Sequence, residues 1–520
     1  MNYRLGIDVG GTNTDAVIID EKLNLVAKVK TPTTEDVTTG IYTALRMVLE
    51  QSGVSKDDIS YAMLGTTHCT NAIVERKRLC RVGIIRIGKP ATMAIAPMAD
   101  WPSDLVQVVG AEYFIVSGGH EFDGREIAAL NEEELRSAAR ALKGKVDAAA
   151  VTSVFSPISS KHEMRAAEIL REELGALPIS LSHEIASIGL LERENATILN
   201  AALAQVAKTT AVGFRTSLER EGVKNARIYL CQNDGTLMSL DYALRYPILT
   251  VACGPTNSIR GASFVSGRHN SIVLDVGGTT SDVGVLVNGF PRESSAAVEI
   301  GGVRTNFRMP DLISIGLGGG TIIREVNGEI KVGPDSVGYR LTEEALVFGG
   351  NTLTATDIAV RLGLAEVGDP AKVSHIERDF AQAVLNKISA MVNEAIDKMK
   401  LSPDPVPLIV VGGGSIIITN EVEGVSEIVH PENYEVANAL GAAIAQVSGQ
   451  VERVYSLSEI GREEALRRAK AIAFEEAVKA GAEPSTVQIV EVEDVPLAYL
   501  PGNATRIRVK AAGDLKNAKN

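Results

Sequence analysis

The sequence predicts an α/β protein in which two related domains face a common cleft, and three observations carry that prediction. First, the stretch Ile7-Asp8-Val9-Gly10-Gly11-Thr12-Asn13-Thr14-Asp15 returns far downstream as Leu274-Asp275-Val276-Gly277-Gly278-Thr279-Thr280-Ser281-Asp282. Each copy ends an apolar run in Asp, turns through Gly-Gly-Thr and re-enters an apolar run (16–19 and 283–287), which is strand, tight turn, strand. Second, strand and helix patterns alternate along the chain, as a mostly parallel sheet covered by helices requires. Third, 520 residues with 45% hydrophobic content exceed what one core accommodates, so two or three domains are expected.

Composition narrows the function classes. A net charge of −13 and a pI near 5.3 argue against a broad nucleic-acid surface or an anionic membrane, which need clustered Lys and Arg. A nucleotide is different, because backbone N–H groups and a cation can meet its charge. The 48 glycines and only 4% aromatics suit phosphate handling better than base stacking. Cys69, Cys80, Cys231 and Cys253 form no metal spacing, and no secretion signal or membrane-spanning run is visible, so a reduced, cytoplasmic setting is expected.

In chain order, the first strand pair is followed by an antiparallel strand over 25–30. Thr33 and Thr34 then cap a helix with the stripe Val37, Ile41, Leu45, Val48 and Leu49, stopped by Gly53. An apolar run at 61–64 leads into the loop Gly65-Thr66-Thr67-His68-Cys69-Thr70-Asn71, dense in side-chain donors. It has two readings, the N-cap of a helix running to Arg76 or a substrate or phosphate loop. A strand is expected at 82–87, and from 90 to 124 the pattern weakens around Pro97, Trp101, Pro102 and Gly118-Gly119, as in irregular structure or a small inserted lobe. Asn131-x-x-Glu134 has the form of a capping box with Leu130 and Leu135 as its staple. A buried strand over 147–155, a helix from Ser160-x-x-Glu163 to Gly175, helical patterns over 190–222 and a strand over 227–231 follow.

A helix from Pro255 to Gly267 precedes the second copy, whose return strand ends at the hairpin signal Asn288-Gly289. Ser314-Ile315-Gly316-Leu317-Gly318-Gly319-Gly320-Thr321 is a third glycine cluster, and Val410-Val411-Gly412-Gly413-Gly414-Ser415 a fourth. The fourth follows an amphipathic helix over 376–399 and an apolar strand over 407–411, the layout that packs a ligand against backbone at a sheet edge. A helix with Val436, Leu440, Ala443 and Ile444 ends before Gly449. Beyond 451, a charged helix to Lys479 and strands near 487–492 and 507–509 read as an added βαββ module with a frayed tail after Lys510. The expected units are therefore 1–267, 268–450 and 451–520.

Adjacent glycines leave backbone N–H groups bare, so each Gly-Gly-Thr turn can cradle a phosphate, and a pair can grip one polyphosphate from both sides. A carboxylate beside a polyphosphate is repelled unless a cation lies between them. Asp8 and Asp275, each at a strand end before such a turn, therefore make sense as outer ligands of Mg²⁺. Thr12, Asn13, Thr14, Thr279, Thr280 and Ser281 add hydroxyl or amide donors, and Asp15 and Asp282 follow directly, able to orient water, bind metal or cap their own loops. His68 and Cys69 invite a nucleophile, but neighbours on an extended segment point opposite ways, and a packed Cys with a hydrogen-bonded His is the simpler reading. His120, beside Gly118-Gly119 and Asp123, has no second His at ligand spacing.

A duplicated strand-turn-strand phosphate motif with a later V-G-G-G-S resembles the superfold shared by actin, heat-shock chaperone ATPases and sugar kinases, with ribonuclease H-like domains. The sequence is more specifically similar to the ATP-binding A-type subunit of the hydantoinase/oxoprolinase family. That similarity is carried by Gly10 to Asp15, by Gly65 to Ala72 with Glu75-Arg76, by Cys253-Gly254-Pro255, by Asp275 to Asp282 and by Ser314 to Thr321. Leu64 and Cys253 stand where the family usually has His and Ser, and relatives tend to carry a longer C-terminal region.

The resemblance implies ATP-dependent opening of a cyclic amide, such as a hydantoin, 5-oxoproline or a related lactam, through phosphorylation of the amide carbonyl, with ATP and Mg²⁺ as cofactors. It implies Asp8, Asp15, Asp275 and Asp282 as catalytic residues, with Asp8 and Asp275 at the metal. Gly10, Gly11, Thr12, Asn13, Thr14, Gly277, Gly278, Thr279, Thr280, Ser281, Gly318, Gly319, Gly320, Gly412, Gly413, Gly414 and Ser415 would bind nucleotide. Thr66, Thr67, His68 and Asn71 would face the substrate. A separate B-type subunit is the expected partner, a homo-oligomer stays open, and neither nucleic acid nor membrane is expected. Two rival readings keep the same superfold: a small-molecule kinase, and a regulatory nucleotide-binding protein without catalysis.

Overall fold

A computed structural model describes residues 2–516 except positions 35, 111, 187, 295–297, 420–421 and 499. Its largest sheet has nine strands, in the order Gln488–Pro496, Ala504–Gly513, Gln446–Ser456, Thr236–Ser239, Arg227–Cys231, Ile59–Thr66, Tyr3–Val9, Asn13–Ile19, Leu25–Pro32. Tyr3–Val9 lies inside it because Leu5, Ile7 and Val9 are buried on one face while Gly6 lets a helix approach the other. The second copy of the motif begins a second sheet, ordered Phe290–Pro291, Ser281–Val287, Ser271–Val276, Val406–Val411, Val425–Val429, with Leu312–Ile315 also paired to Ser281–Val287. The duplicated α/β architecture expected from the sequence is thus present, each half built on an antiparallel pair flanked by a parallel strand.

Two helices join the halves. Cys253–Ser266 and Ala437–Ile444 cross so closely that a Cβ on Gly441 would lie 1.8 Å from the Asn257 carbonyl oxygen, and one on Gly261 would lie 1.9 Å from that of Ala437. Only glycine permits this crossing, and it carries Asn257 and Asn438 to the floor between the two sheets.

Several expectations about boundaries change. Strand Gln446–Ser456 runs through the boundary expected at 450 and pairs in parallel with Thr236–Ser239, so the C-terminal strands extend the first sheet. Helix Arg462–Lys479 seats Ala465, Ala469, Ala473 and Ala477 against that extension and keeps its charges outward. The tail expected to fray after Lys510 continues as strand to Gly513, with Ala511, Ala512 and Leu515 buried; its last four residues lie outside the described chain. The region 90–124 is part of a larger lobe, a parallel sheet ordered Tyr113–Ser117, Val82–Lys89, Ala148–Ser153, Ile179–Leu181.

Local capping also differs. Asp36, not Thr33 or Thr34, caps helix Val37–Ser52, while Thr33 donates to the Gly10 carbonyl. Asn131 caps Glu132–Leu142, but Glu134 turns to the Ser117 N–H instead of closing a box. Ser160 makes no side-chain cap, because Glu163 is drawn inward to Ser153, Ser182 and His183. The Asn288-Gly289 hairpin forms as expected, both residues at positive φ.

Candidate functional site

The two Gly-Gly-Thr turns are copies in three dimensions as well as in sequence. In the first strand pair Asp8 stands opposite Asp15 and Val9 opposite Thr14; in the second Asp275 stands opposite Asp282 and Val276 opposite Ser281. Gly10 N–H donates to the Asn13 carbonyl (3.0 Å) and Gly277 N–H to that of Thr280 (2.9 Å), closing the same turn twice. The parallel neighbour repeats as well, with Gly65 beside Asp8, and Gly412 following Val411, which stands beside Asp275. A Cβ on Gly65 would lie 2.2 Å from Asp8 Oδ1, and one on Gly412 2.3 Å from Asp275 Oδ1. Each glycine therefore makes room for one aspartate. The turns face each other across a cleft of about 410 Å³ and touch at its edge through Thr12 and Thr279, whose hydroxyl oxygens are 3.3 Å apart.

The electrostatics of this cleft are one-sided. Asp8, Asp15, Asp275, Asp282 and Glu435 line it, and Lys30 is the one Lys or Arg among the described lining residues. Burial pushes the Asp8 carboxyl up to about 7, against hydrogen bonds from Asn257 (3.1 Å) and Asn438 (3.5 Å). Burial pushes Asp15 up to about 6 despite Lys30, whose Nζ lies 2.7 Å from it, and pushes Asp282 to about 6 and Asp275 upward. Carboxylates held above their ordinary range at a shared cleft suit a hard divalent cation, which takes oxygen ligands. Asp8 and Asp275 are the two that strand ends and companion glycines hold in equivalent positions. The Gly10 and Gly277 N–H groups close the turns, so those of residues 11–12 and 278–279 are the turn N–H groups able to meet a phosphate.

Of the residues singled out from sequence, Gly10, Gly11, Thr12, Asn13, Gly277, Gly278, Thr279, Thr280, Gly319, Gly412, Gly413, Gly414 and Thr67 line the cleft with the four aspartates. Thr14 and Ser281 do not. Along a strand side chains alternate, so when Asn13 and Asp15 face the cleft Thr14 faces inward to Thr33, and likewise Ser281 donates to the Leu317 carbonyl (2.7 Å). Gly318 and Gly320 support the second turn from behind: Gly320 N–H donates to the Gly278 carbonyl (2.7 Å), and a Cβ on Gly318 would lie 2.7 Å from the Thr279 nitrogen. Ser415 is buried in the short turn Ser415–Ile417.

The 65–71 loop divides. Strand Ile59–Thr66 passes through Thr67 into helix His68–Glu75; Thr67 stands at the helix N-cap position without a side-chain cap and lines the cleft. Asn71 donates to Thr67 Oγ1 (3.3 Å), while Thr66 and His68 are buried behind it. Burial pushes the Cys69 thiol up to about 11, and Cys253 Sγ donates to the Thr66 carbonyl, so both are packed thiols. All four cysteines are free and buried.

His120 does meet a second imidazole, His162, together with Glu126. However, His162 Nδ1 accepts the Gly119 N–H (3.0 Å), which leaves the ring proton on Nε2, where it points at Glu126 (3.1 Å). That nitrogen is a donor and not a metal ligand.

Sequence reading missed Lys30, Asn257 and Asn438, and an apolar side of the cleft formed by Tyr339, Leu341, Phe348, Val367 and Ile416. Lys30 had a signal, since it pairs with Asp15 once strand 25–32 is registered against 13–19. The asparagines had none, because they reach Asp8 only through the helix crossing.

Comparison with known proteins places this geometry among relatives. Residues 4–174 match the model of the hydantoinase/oxoprolinase N-terminal region and residues 193–367 that of hydantoinase/oxoprolinase. The chain is 28% identical over 396 residues to the acetophenone carboxylase gamma subunit of Aromatoleum aromaticum, covering 69% of this chain and 53% of that one. It is 27% identical over 423 residues to caprolactamase subunit alpha of Pseudomonas jessenii, covering 76% and 59%. It thus spans little more than half the length of these relatives. The crystal structure of the ATP-dependent caprolactamase from Pseudomonas jessenii superimposes with a TM-score of 0.78 at 19% identity, covering 99% of this chain and 88% of that one, a likeness of fold. No helix among the described residues is long and apolar enough to cross a membrane.

Proposed function

The chain belongs to the hydantoinase/oxoprolinase family, and on that premise we propose that it binds ATP with Mg²⁺ between the two Gly-Gly-Thr turns and uses it to open a cyclic amide. The observation that carries the reading is the pair of same-register Asp-x-Gly-Gly-Thr turns facing one acidic cleft. Turn N–H groups at 11–12 and 278–279 would hold phosphate oxygens, and Asp8 and Asp275 the cation, which when bound neutralises phosphate charge. Lys30, fixed by Asp15, adds a positive charge facing the same place. The apolar wall of Tyr339, Phe348 and Ile416 suits a purine base, beyond the glycines at 412–414.

A stable amide is a poor electrophile. Transfer of the γ-phosphoryl group to its carbonyl oxygen forms a C–O–P linkage as the phosphoanhydride bond to ADP breaks; water then adds at carbon, the ring C–N bond breaks as a proton passes to nitrogen, and a second water releases phosphate from the resulting acyl phosphate to leave a carboxylate. Thr67 is the residue of the 65–71 loop placed to meet the reacting group. A second reading, ATP-dependent carboxylation, shares the activation of a carbonyl oxygen and is favoured by the similarity to the acetophenone carboxylase gamma subunit. By analogy with relatives named as subunits, a partner chain of the B type completes the enzyme.

The test is ADP release with and without hydantoin or 5-oxoproline, alone and with a candidate B-type subunit. Substrate-stimulated release with ring opening is expected, and a stable phosphorylated product would sink the reading. Bicarbonate-dependent turnover would shift it to carboxylation. Asp275→Ala is expected to cut turnover at least ~100-fold, the loss of several kcal/mol of charge stabilisation, while its circular dichroism stays unchanged.

A further inference from the structure

Thr67 and His68 are sequence neighbours that serve opposite sides of one strand end. Thr67 lines the cleft, whereas His68 lines a separate cavity of about 630 Å³ together with Arg78, Lys208, Gln205, Thr209 and Thr210. Arg78 and Lys208 are exposed and form no ion pair among the described residues, in a chain where Asp and Glu outnumber Lys and Arg by 65 to 52. Arg78 also holds φ at 61°, a left-handed conformation that costs a non-glycine residue about 1–2 kcal/mol. Its side chain is thereby held at the cavity at some expense to the backbone.

His68 contributes a fixed imidazole. Thr66 Oγ1 accepts the His68 backbone N–H (3.2 Å), and the hydroxyls of Thr66 (2.6 Å) and Thr210 (3.3 Å) both hydrogen-bond with His68 Nδ1 and fix the ring. Burial and the nearby Arg78 charge hold this imidazole down to about 4, so at neutral pH it adds no charge of its own. Two carboxylates also border the cavity, and both are engaged elsewhere. Asp36 caps its helix through the N–H groups of Thr38 and Thr39, and Asp147 accepts from the Arg81 backbone and guanidinium. The first turns of helices Val37–Ser52 and Ala204–Arg220 border it as well, at the ends of helices that favour negative charge.

We propose that this cavity binds a small carboxylate-bearing molecule, its two oxygens met by the Arg78 fork with Lys208 and the His68 ring beside it. A guanidinium fork matches a carboxylate bidentately, and charge-assisted bonds of this kind are about twice as strong as neutral ones. Such a ligand has two sources. One is an effector unconnected with the reaction; the other is the opened chain itself, because hydrolysis of any cyclic amide leaves a carboxylate. Occupancy would press on the Thr66–His68 junction, whose other side is the cleft.

The test is isothermal titration calorimetry of the full chain without nucleotide, using L-glutamate, succinate, 2-pyrrolidinone and inorganic phosphate as probes. Saturable binding of at least one carboxylate and none of 2-pyrrolidinone is expected. The Arg78→Gln/Lys208→Gln double variant should weaken that binding at least ~10-fold with its melting temperature unchanged. Glutamate binding more tightly than succinate would identify opened-product chemistry, and the reverse order an effector. Absence of carboxylate binding, equal binding by the double variant, or binding of phosphate alone would overturn the proposal. Since no ATP turnover is measured, this result stands apart from the test of ring opening.

Discussion

Asp8 shows how one carboxylate ties stability to the cation it is proposed to hold. Burial raises its folded value to about 7, while in the unfolded chain a carboxyl titrates at about 4. Between those pH values the folded chain keeps a proton that the unfolded chain has released, so this group's contribution to stability falls as pH rises from about 4 to about 7. Each pKa unit is worth about 1.4 kcal/mol. Asp8→Asn should therefore gain stability relative to the unmodified chain between pH 5 and pH 8, measured by thermal unfolding in EDTA. Added Mg²⁺ should raise the melting temperature of the unmodified chain more at pH 8 than at pH 5. A pH-independent difference between the two proteins would remove Asp8 from this role. The position of Asp8 was legible in sequence, because Asp-x-Gly-Gly-Thr is local and repeated. Its partners Asn257 and Asn438 were not, since each lies on a helix whose approach depends on a crossing that no periodicity reports.

At the scale of elements, the parallel neighbour of each motif strand carries a glycine at its end, Gly65 within Ile59–Thr66 and Gly412 just after Val406–Val411, and the two glycines play one part. Gly65 lies beside Asp8, and Gly412 beside Asp275, each where a methyl group would overlap a carboxylate oxygen. Gly65→Ala is the cleaner probe, because its φ is not in the left-handed region that Gly412 occupies at 88°. The added methyl must displace Asp8 or Asn257. It should cost about 1–3 kcal/mol of stability and weaken Mg-ATP binding, followed by calorimetry, more than a conservative change on the lobe does. Unaltered binding would show that Asp8 need not sit there. Alternation along the strand was enough to read Asn13 and Asp15 as facing one way and Thr14 the other, a signal present in the sequence but not used. The lobe was legible only in pieces. Strands Val82–Lys89 and Ala148–Ser153 were each visible as apolar runs, but their pairing with each other, and not with the main sheet, is a tertiary fact.

For the whole molecule, the Thr12 and Thr279 hydroxyls touch across the cleft and Lys28 bonds Asn433 and Glu435, while the crossing helices Cys253–Ser266 and Ala437–Ile444 hold the halves from below. A Cβ on Gly278 would lie 2.7 Å from Thr12 Cγ2, so the turns already approach as closely as side chains allow. A nucleotide entering between them requires these tips to part about the helix crossing, a hinge motion of two rigid sheets. The four native cysteines are buried, which makes an engineered pair at the tips readable. In a Thr12→Cys/Thr279→Cys variant the sulfurs replace oxygens 3.3 Å apart, within reach of a disulfide after a small adjustment. Oxidation should then abolish nucleotide binding and turnover, and reductant should restore binding; turnover recovers only as far as the loss of both hydroxyls allows. Each single cysteine variant should be indifferent to oxidant. If the oxidised double variant still binds and releases nucleotide at the rate of its reduced form, the tips need not separate, and entry must run along the open side by Tyr339 and Leu341 instead.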